Sequence, residues 1–226
     1  LFNQADLKIA GFHNFRNAVM AATLAQKLGV PKKIIKNVVK RFRGLEHRLE
    51  LVRKIKNVSF YNDSASTNPQ TTAAAIHAFP HEPKILIAGG QDKNLDYKPL
   101  AKALKNSNTK LVVLFGEYSK KIRKTLQNIK SDIRQETRDM RHATRDKGQG
   151  RLKIVLAKSL KEAVLLAYKS AKSHVARSSS HVAILFSPGA ASFDMFRDYA
   201  DRGKKFKQLV NPHTNSGLRS PDTLER

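Results

Sequence analysis

Tyr61-Asn62-Asp63-Ser64-Ala65-Ser66-Thr67-Asn68-Pro69 is a polar stretch between two apolar runs of different period. A β-like run, Val58 to Tyr61, enters it, and an Ala-rich helical run, Thr71 to Phe79, leaves it. Asn68 reads as a helix N-cap and Pro69 as the first helical position, where the missing N–H costs nothing. The stretch is therefore a strand, a short loop and a helix N-terminus. In a parallel α/β sheet such loops lie at the carboxyl ends of the strands, where ligands bind. Asp63, Ser64, Ser66 and Thr67 place a carboxylate and three hydroxyls within five positions. Such residues also satisfy loop backbone by themselves, so the stretch alone reads equally well as a capped turn.

Downstream the same grammar recurs. Ile85-Leu86-Ile87-Ala88 runs into Gly89-Gly90, and Leu111-Val112-Val113-Leu114-Phe115 into Gly116. Ile154-Val155-Leu156-Ala157 follows, and Val182-Ala183-Ile184-Leu185-Phe186 runs into Ser187-Pro188-Gly189. Helical segments are expected near 70–79, 98–105, 117–128, 159–173 and 193–209, with Ser159 and Glu162 as a capping box. Short strands apolar on both faces and separated by helices mean a parallel sheet covered on both sides. Leu49 to Ile55 and Val58 to Tyr61 read as strands joined by a tight Lys56-Asn57 turn. The expected fold is a doubly wound, Rossmann-like α/β domain over about 45–211.

Upstream the texture is helical. Ala18, Ala21, Ala22, Ala25 and Leu28 fall on one helix face, ended by Gly29. Pro31 starts a second helix, with Ile34, Ile35, Val38, Val39 and Phe42 on one face, stopped by Gly44. This pair, residues 1–44, is too small to fold alone and needs a covering partner, missing from the chain or in the domain that follows. Residues 119–153 hold twelve Lys/Arg against four Asp/Glu, and 131–150 reads as a solvated basic insertion. Residues 212–226 read as a loose polar tail.

Composition narrows the classes. Among 226 residues there is no cysteine, which excludes disulfides and thiolate chemistry and fits a cytoplasmic setting. No apolar run approaches the length of a membrane span. The formal net charge is +25, from 43 Lys+Arg and 18 Asp+Glu. The excess decorates helical faces, such as Lys32, Lys33, Lys36 and Lys40, and no aromatics interleave with it. Nucleic-acid binding is therefore disfavoured as the main role. The chain begins at Leu1 and is expected to be the downstream piece of something longer.

Several motifs fall at strand ends. In order they are His13-Asn14-Phe15-Arg16-Asn17-Ala18, Gly44-Leu45-Glu46-His47-Arg48-Leu49-Glu50, Asn62 to Asn68, and Gly89-Gly90-Gln91-Asp92-Lys93. Ser187-Pro188-Gly189-Ala190-Ala191-Ser192-Phe193-Asp194-Met195-Phe196 with Arg202-Gly203 closes the series. Each alone is weak. Together, from about Gly11 to Val210, they resemble the Mur ligases of peptidoglycan synthesis, and among these the branch that adds D-glutamate to UDP-N-acetylmuramoyl-L-alanine.

The resemblance implies a three-domain, ATP-dependent amide-bond ligase whose first domain and most of whose central ATPase domain lie outside this sequence. No G-x-x-x-x-G-K-[ST] loop occurs, and Gly203-Lys204-Lys205 lacks the hydroxyl. Residues 1–44 would be the helical end of the ATPase domain and 45–211 the third domain. Asn14, Asn17, Arg48 and Asp63 match family positions that contact ATP. Ser64, Thr67, Lys93, Ser192 and the aromatic at Tyr199 match positions around D-glutamate. Mg2+ would accompany ATP, with its ligands mostly in the missing part, and the intact protein would be a cytoplasmic monomer. Ala65 stands where the family usually has Lys, and Tyr199 where Phe is frequent.

Other readings stay open. Asn14 would then cap the first helix, Arg48 pair with Glu46 or Glu50, Asp63 cap its loop, and Ser192 cap the helix containing Phe196. Another Mur or folylpolyglutamate-type ligase is the nearest alternative. The diaminopimelate-adding ligases carry Asp-Asn-Pro-Arg, however, whereas here Gln70 follows Asn68-Pro69. A non-catalytic basic binding module is the alternative from another class.

Overall fold

The structure, a computed structural model, describes residues 1–91, 93–127 and 152–211. The expected basic insertion at 131–150 and the tail at 212–226 lie outside the described residues. After a short 3-10 turn, Gln4–Asp6, come helices α1 (Phe12–Lys27) and α2 (Lys32–Arg41). Then follow β1 (Glu50–Ile55), β2 (Val58–Asn62), α3 (Pro69–His77), β3 (Lys84–Gly89), α4 (Lys98–Lys105) and β4 (Thr109–Phe115). Residues 119–127 are helical and are called α5. The chain ends with β5 (Lys153–Leu156), α6 (Leu160–Ser178), β6 (Val182–Phe186) and α7 (Tyr199–Val210).

The six strands form one sheet in the order β1-β2-β6-β3-β4-β5. β1 and β2 are an antiparallel hairpin closed between Ile55 and Val58, and every other pairing is parallel. The alternating side chains of the strands feed two cores. Leu86, Ala88, Val112, Leu114, Ala183 and Leu185 face α3, α4 and α5. Ile85, Ile87, Val113, Ile184 and Phe186 face α6 and α7. With both faces covered, hydrophobicity runs continuously along β3, β4 and β6. The chain steps from β2 past the place of β6 to β3, and β6 returns last to fill the gap. The loops leaving β2, β6 and β3 therefore lie side by side at one end of the sheet.

Helix boundaries follow local chemistry. Asn68 Oδ1 accepts the Thr71 N–H at 2.9 Å, with Pro69 in the first helical turn as expected. Ser159 caps α6 by accepting the Glu162 N–H, but Glu162 Oε2 accepts from the Lys158 N–H, so the reciprocal half of the expected box reaches one residue further back. The helix expected over 193–209 starts only at Tyr199. Ser192 O accepts from the Met195 and Phe196 N–H groups in a turn, and Asp198, whose carboxylate accepts the Asp201 N–H at 2.7 Å, is the true N-cap. Ser192 accordingly caps no helix.

Candidate active site

The first half of the site forms where α1, the Gly44–Leu49 turn, the loop after β2 and α3 meet. Asn14, Asn17, Arg48 and Asp63 all line one cavity of about 100 Å³, together with His13, Ser66 and the α3 face at Thr71 and Ala74. Three stretches far apart in sequence thus bring together the four residues that the resemblance would place at ATP. Asn14 does not cap α1, because Gly11 holds the N-cap position; the Asn14 amide donates to Ala10 O at 2.7 Å. Arg48 is exposed, and Glu46 and Glu50 are paired instead with the Lys207 ammonium, at 3.0 and 2.6 Å.

Asp63 is buried and tied to three donors. Its Oδ1 accepts the Leu49 N–H at 3.1 Å, and its Oδ2 accepts the Ser66 and Ser187 hydroxyls, both at 2.6 Å. Burial pushes its carboxyl up to about 6, against the pull of Ser187, Ser66, the Leu49 N–H and Arg48. Asp63 thus joins the entry to β1, its own loop and the loop after β6, besides lining the cavity.

Below the turn, His47 is the hub. Its ring is 4% exposed and lies so close to Gly203 of α7 that a Cβ there would stand 2.3 Å from Nδ1. The Asn62 amide nitrogen, a donor only, sits 2.8 Å from His47 Nδ1, so that nitrogen accepts and the proton lies on Nε2, toward Glu46. Burial lowers the His47 pKa, with Glu46 and Glu50 working against it, and keeps the ring neutral. Glu46, His47 and Glu50 offer ligand atoms within 4.8 Å of one another, the one such cluster among the described residues. A hard, oxygen-seeking Mg2+ does not fit it, since one donor is an imidazole and a lysine ammonium already bridges the two carboxylates.

The second half of the site is the meeting of the loops after β2, β6 and β3. Gly189 N–H donates to Ser66 O, Gly89 N–H to Pro188 O, and Gln91 N–H to Ala191 O, all at 2.8–2.9 Å. Gly90 is obligatory there: its φ is +146°, and a Cβ would stand 2.1 Å from Ala191 O. Thr67 is half-buried and Tyr199, at the first position of α7, is exposed. The exposed Lys93 holds its ammonium over the Phe193 ring, 5.5 Å from the centroid. Ser192, next to that ring, is almost wholly buried.

One expected contact residue lies elsewhere. Ser64 is fully buried, and its hydroxyl donates to Tyr199 O at 2.7 Å and accepts from Arg202 Nε at 3.0 Å. With both roles of the hydroxyl taken by protein, Ser64 holds the loop junction together from inside. Arg202, Ser66, Ser187 and His47 stand inside the quoted motifs, but sequence reasoning gave none of them a role of its own. The one available signal was the Arg202-Gly203 pair, a glycine inside a helical pattern, which marks close approach of another chain segment.

Residues 47–176 match the family model described as Mur ligase, glutamate ligase domain. Similar curated proteins are UDP-N-acetylmuramoylalanine–D-glutamate ligases. That of Acetivibrio thermocellus is 39% identical over 92% of this chain and 40% of the relative. That of Thermoanaerobacter sp. (strain X514) is 38% identical over 91% and 39%, and that of Aquifex aeolicus 36% over 93% and 43%. The chain thus spans about two fifths of the length of these relatives. Among solved structures, the Mycobacterium tuberculosis folylpolyglutamate synthase complexed with ADP superposes with a TM-score of 0.60 at 15% identity, over 88% of this chain and 40% of that one. The Thermotoga maritima UDP-N-acetylmuramate-alanine ligase does so at 0.54 and 19%, over 88% and 38%. At such identities these two speak for the fold alone. With more than half of its residues inside the matched domain and its strand-end motifs gathered at one end of the sheet, the chain belongs to the Mur ligase family.

Proposed function

We propose that this chain is the carboxyl-terminal part of an ATP-dependent ligase that joins D-glutamate to UDP-N-acetylmuramoyl-L-alanine. In the intact enzyme the γ-phosphoryl group of ATP passes to the alanyl carboxylate, giving an acyl phosphate and ADP. The amine of D-glutamate attacks the acyl carbon, phosphate leaves, and an amide remains. Phosphoryl transfer of this kind rests on positioning and on electrostatic stabilisation of the oxygens. Residues 1–44 complete the missing ATPase domain, whose own residues cradle the terminal phosphates and hold Mg2+. Residues 45–211 close over the nucleotide with Arg48 and Asp63 and present the amino acid from Thr67, Lys93, Ser192 and Tyr199. The intact protein works as a cytoplasmic monomer.

The observation that carries this reading is the convergence of Asn14, Asn17, Arg48 and Asp63 on one cavity, beside the junction of the loops that bear Thr67, Lys93 and Ser192. The test is a chimera joining the amino-terminal part of the Acetivibrio thermocellus relative to this chain at the start of their match. Phosphate release that needs both D-glutamate and the UDP substrate is expected of the chimera, and none of residues 1–226 alone. A folded chimera that releases no phosphate under conditions where the relative does would overturn the reading.

A further inference from the structure

Arg202 is the bulkiest fully buried side chain among the described residues. It takes part in no ion pair among them. All four of its hydrogen bonds go to uncharged oxygens: Nε to Ser64 Oγ at 3.0 Å, Nη2 to Ser64 O at 2.9 Å, and Nη1 to Ala190 O at 3.0 Å and Ala191 O at 3.1 Å. Burying a cation is expensive, and a guanidinium is tolerated here because each of its three nitrogens finds an acceptor. Burial lowers its pKa to about 10, partly offset by the nearby Asp194 carboxylate, so it stays charged at neutral pH.

What the fork connects is more telling than how it is satisfied. Ser64 lies three residues before Thr67 in the loop after β2. Ala191 precedes Ser192 in the loop after β6. The third loop is pressed onto the same point, because Ala191 O also accepts the Gln91 N–H at 2.9 Å, and a Cβ on Gly90 would come within 3.2 Å of Arg202 Nη1. That loop leads to Lys93. Ser64 Oγ, held by Arg202, in turn donates to the backbone of Tyr199.

We infer that Arg202 is the positioning residue of the amino-acid pocket. Its one guanidinium fixes the register of the three loops that carry Thr67, Lys93 and Ser192, and of the helix start that carries Tyr199. The inference rests on the ligase reading for the identity of the amino acid, not for the clamp itself. A lysine keeps the charge but is a single point donor and cannot span Ser64 and Ala190 at once.

Two readouts separate the clamp from the functional reading. The first uses this chain and amide hydrogen exchange. In Arg202→Lys and Arg202→Gln, the Gln91 and Gly189 amides should exchange roughly tenfold faster or more, with β3 and β4 amides unchanged. The second uses the chimera described above. Both variants should raise KM for D-glutamate roughly tenfold or more while KM for ATP stays within about twofold. Unchanged loop exchange overturns the clamp. So does a parallel rise in both KM values together with a general loss of protection, which marks a merely structural residue. If Arg202→Gln fails to fold, Arg202→Lys decides by the same criteria. A wild-type chimera without D-glutamate activity sinks the functional reading, and the exchange data still judge the clamp.

Discussion

Asp63 answers two demands that pull in opposite directions. As a buried carboxylate it is costly to ionise, yet it gathers three donors and lines the cavity. With its pKa raised from 3.8 to about 6, the folded state holds a proton that the unfolded chain has already lost. Its contribution to stability is therefore fully present below pH 4 and fades as pH rises to about 6, by at most about 3 kcal/mol. Relative to wild type, Asp63→Asn should gain stability over that window and not beyond it. Urea midpoints at pH 4, 5, 6 and 7 check this, and a difference that does not vary with pH rules out the raised carboxyl. Lys84, at the other end of the sheet, is also buried; its Nζ donates to Phe79 O and to Glu82 O, and burial lowers its pKa to about 8. Lys93 is different, an exposed cation held over Phe193. Losing a charged partner typically costs about 1.5–3 kcal/mol, so Lys93→Ala in the chimera should weaken D-glutamate use roughly 10- to 150-fold and leave KM for ATP nearly unchanged. A wild-type KM for D-glutamate would mean that Lys93 is merely solvated.

Helix α7 is the element on which the site depends most. Asp198 sets its start at Tyr199, which leaves 193–198 outside the helix. Asp194 belongs to that segment: its Oδ2 accepts the Glu117 N–H at 3.1 Å, linking the loops after β6 and β4. One turn into α7, Arg202 and Gly203 meet the loops after β2 and β6 and the His47 ring. Replacing a helical glycine by alanine ordinarily gains about 1 kcal/mol. At Gly203 the new Cβ would stand 2.3 Å from a buried ring atom, so overlap outweighs propensity. Gly203→Ala should therefore lower the melting temperature, and the loss should shrink when His47→Ser is added. A melting temperature raised by Gly203→Ala would show that His47 yields freely.

At the scale of the whole molecule, the chain is a sheet domain with a helical pair at one side. That pair exposes Met20, Leu24 and Leu28, while Ile34 and Val38, also exposed, line a groove of about 470 Å³. The groove shares Asn14, Asn17 and Arg48 with the smaller cavity, so these three residues stand where the helical pair meets the α/β domain. Arg48 reaches that junction from the turn before β1, and in the chimera Arg48→Ala should raise KM for ATP more than KM for D-glutamate. Equal or reversed effects would mean that Arg48 serves the amino-acid side. No helix among the described residues is long and apolar enough to cross a membrane.

The sequence by itself determined the elements and their class. Continuous apolar runs ending in glycine specified buried parallel strands, and Asn68-Pro69 specified where α3 begins, because such signals act over a few neighbouring residues. Asn14, Asn17, Arg48 and Asp63, which line one cavity, were singled out only through the motifs' resemblance to a family, since no local pattern brings them together. Only the tertiary structure decided which hydroxyls are consumed inside. Ser64 and Thr67 look alike in sequence. Ser64 is spent because Arg202, 138 positions away, meets it across the sheet end. His47 and Gly203, and Asp63 and Ser187, likewise find each other only once β6 has slipped between β2 and β3. Burial and hydrogen-bond satisfaction are properties of such long-range meetings, and no local pattern encodes them.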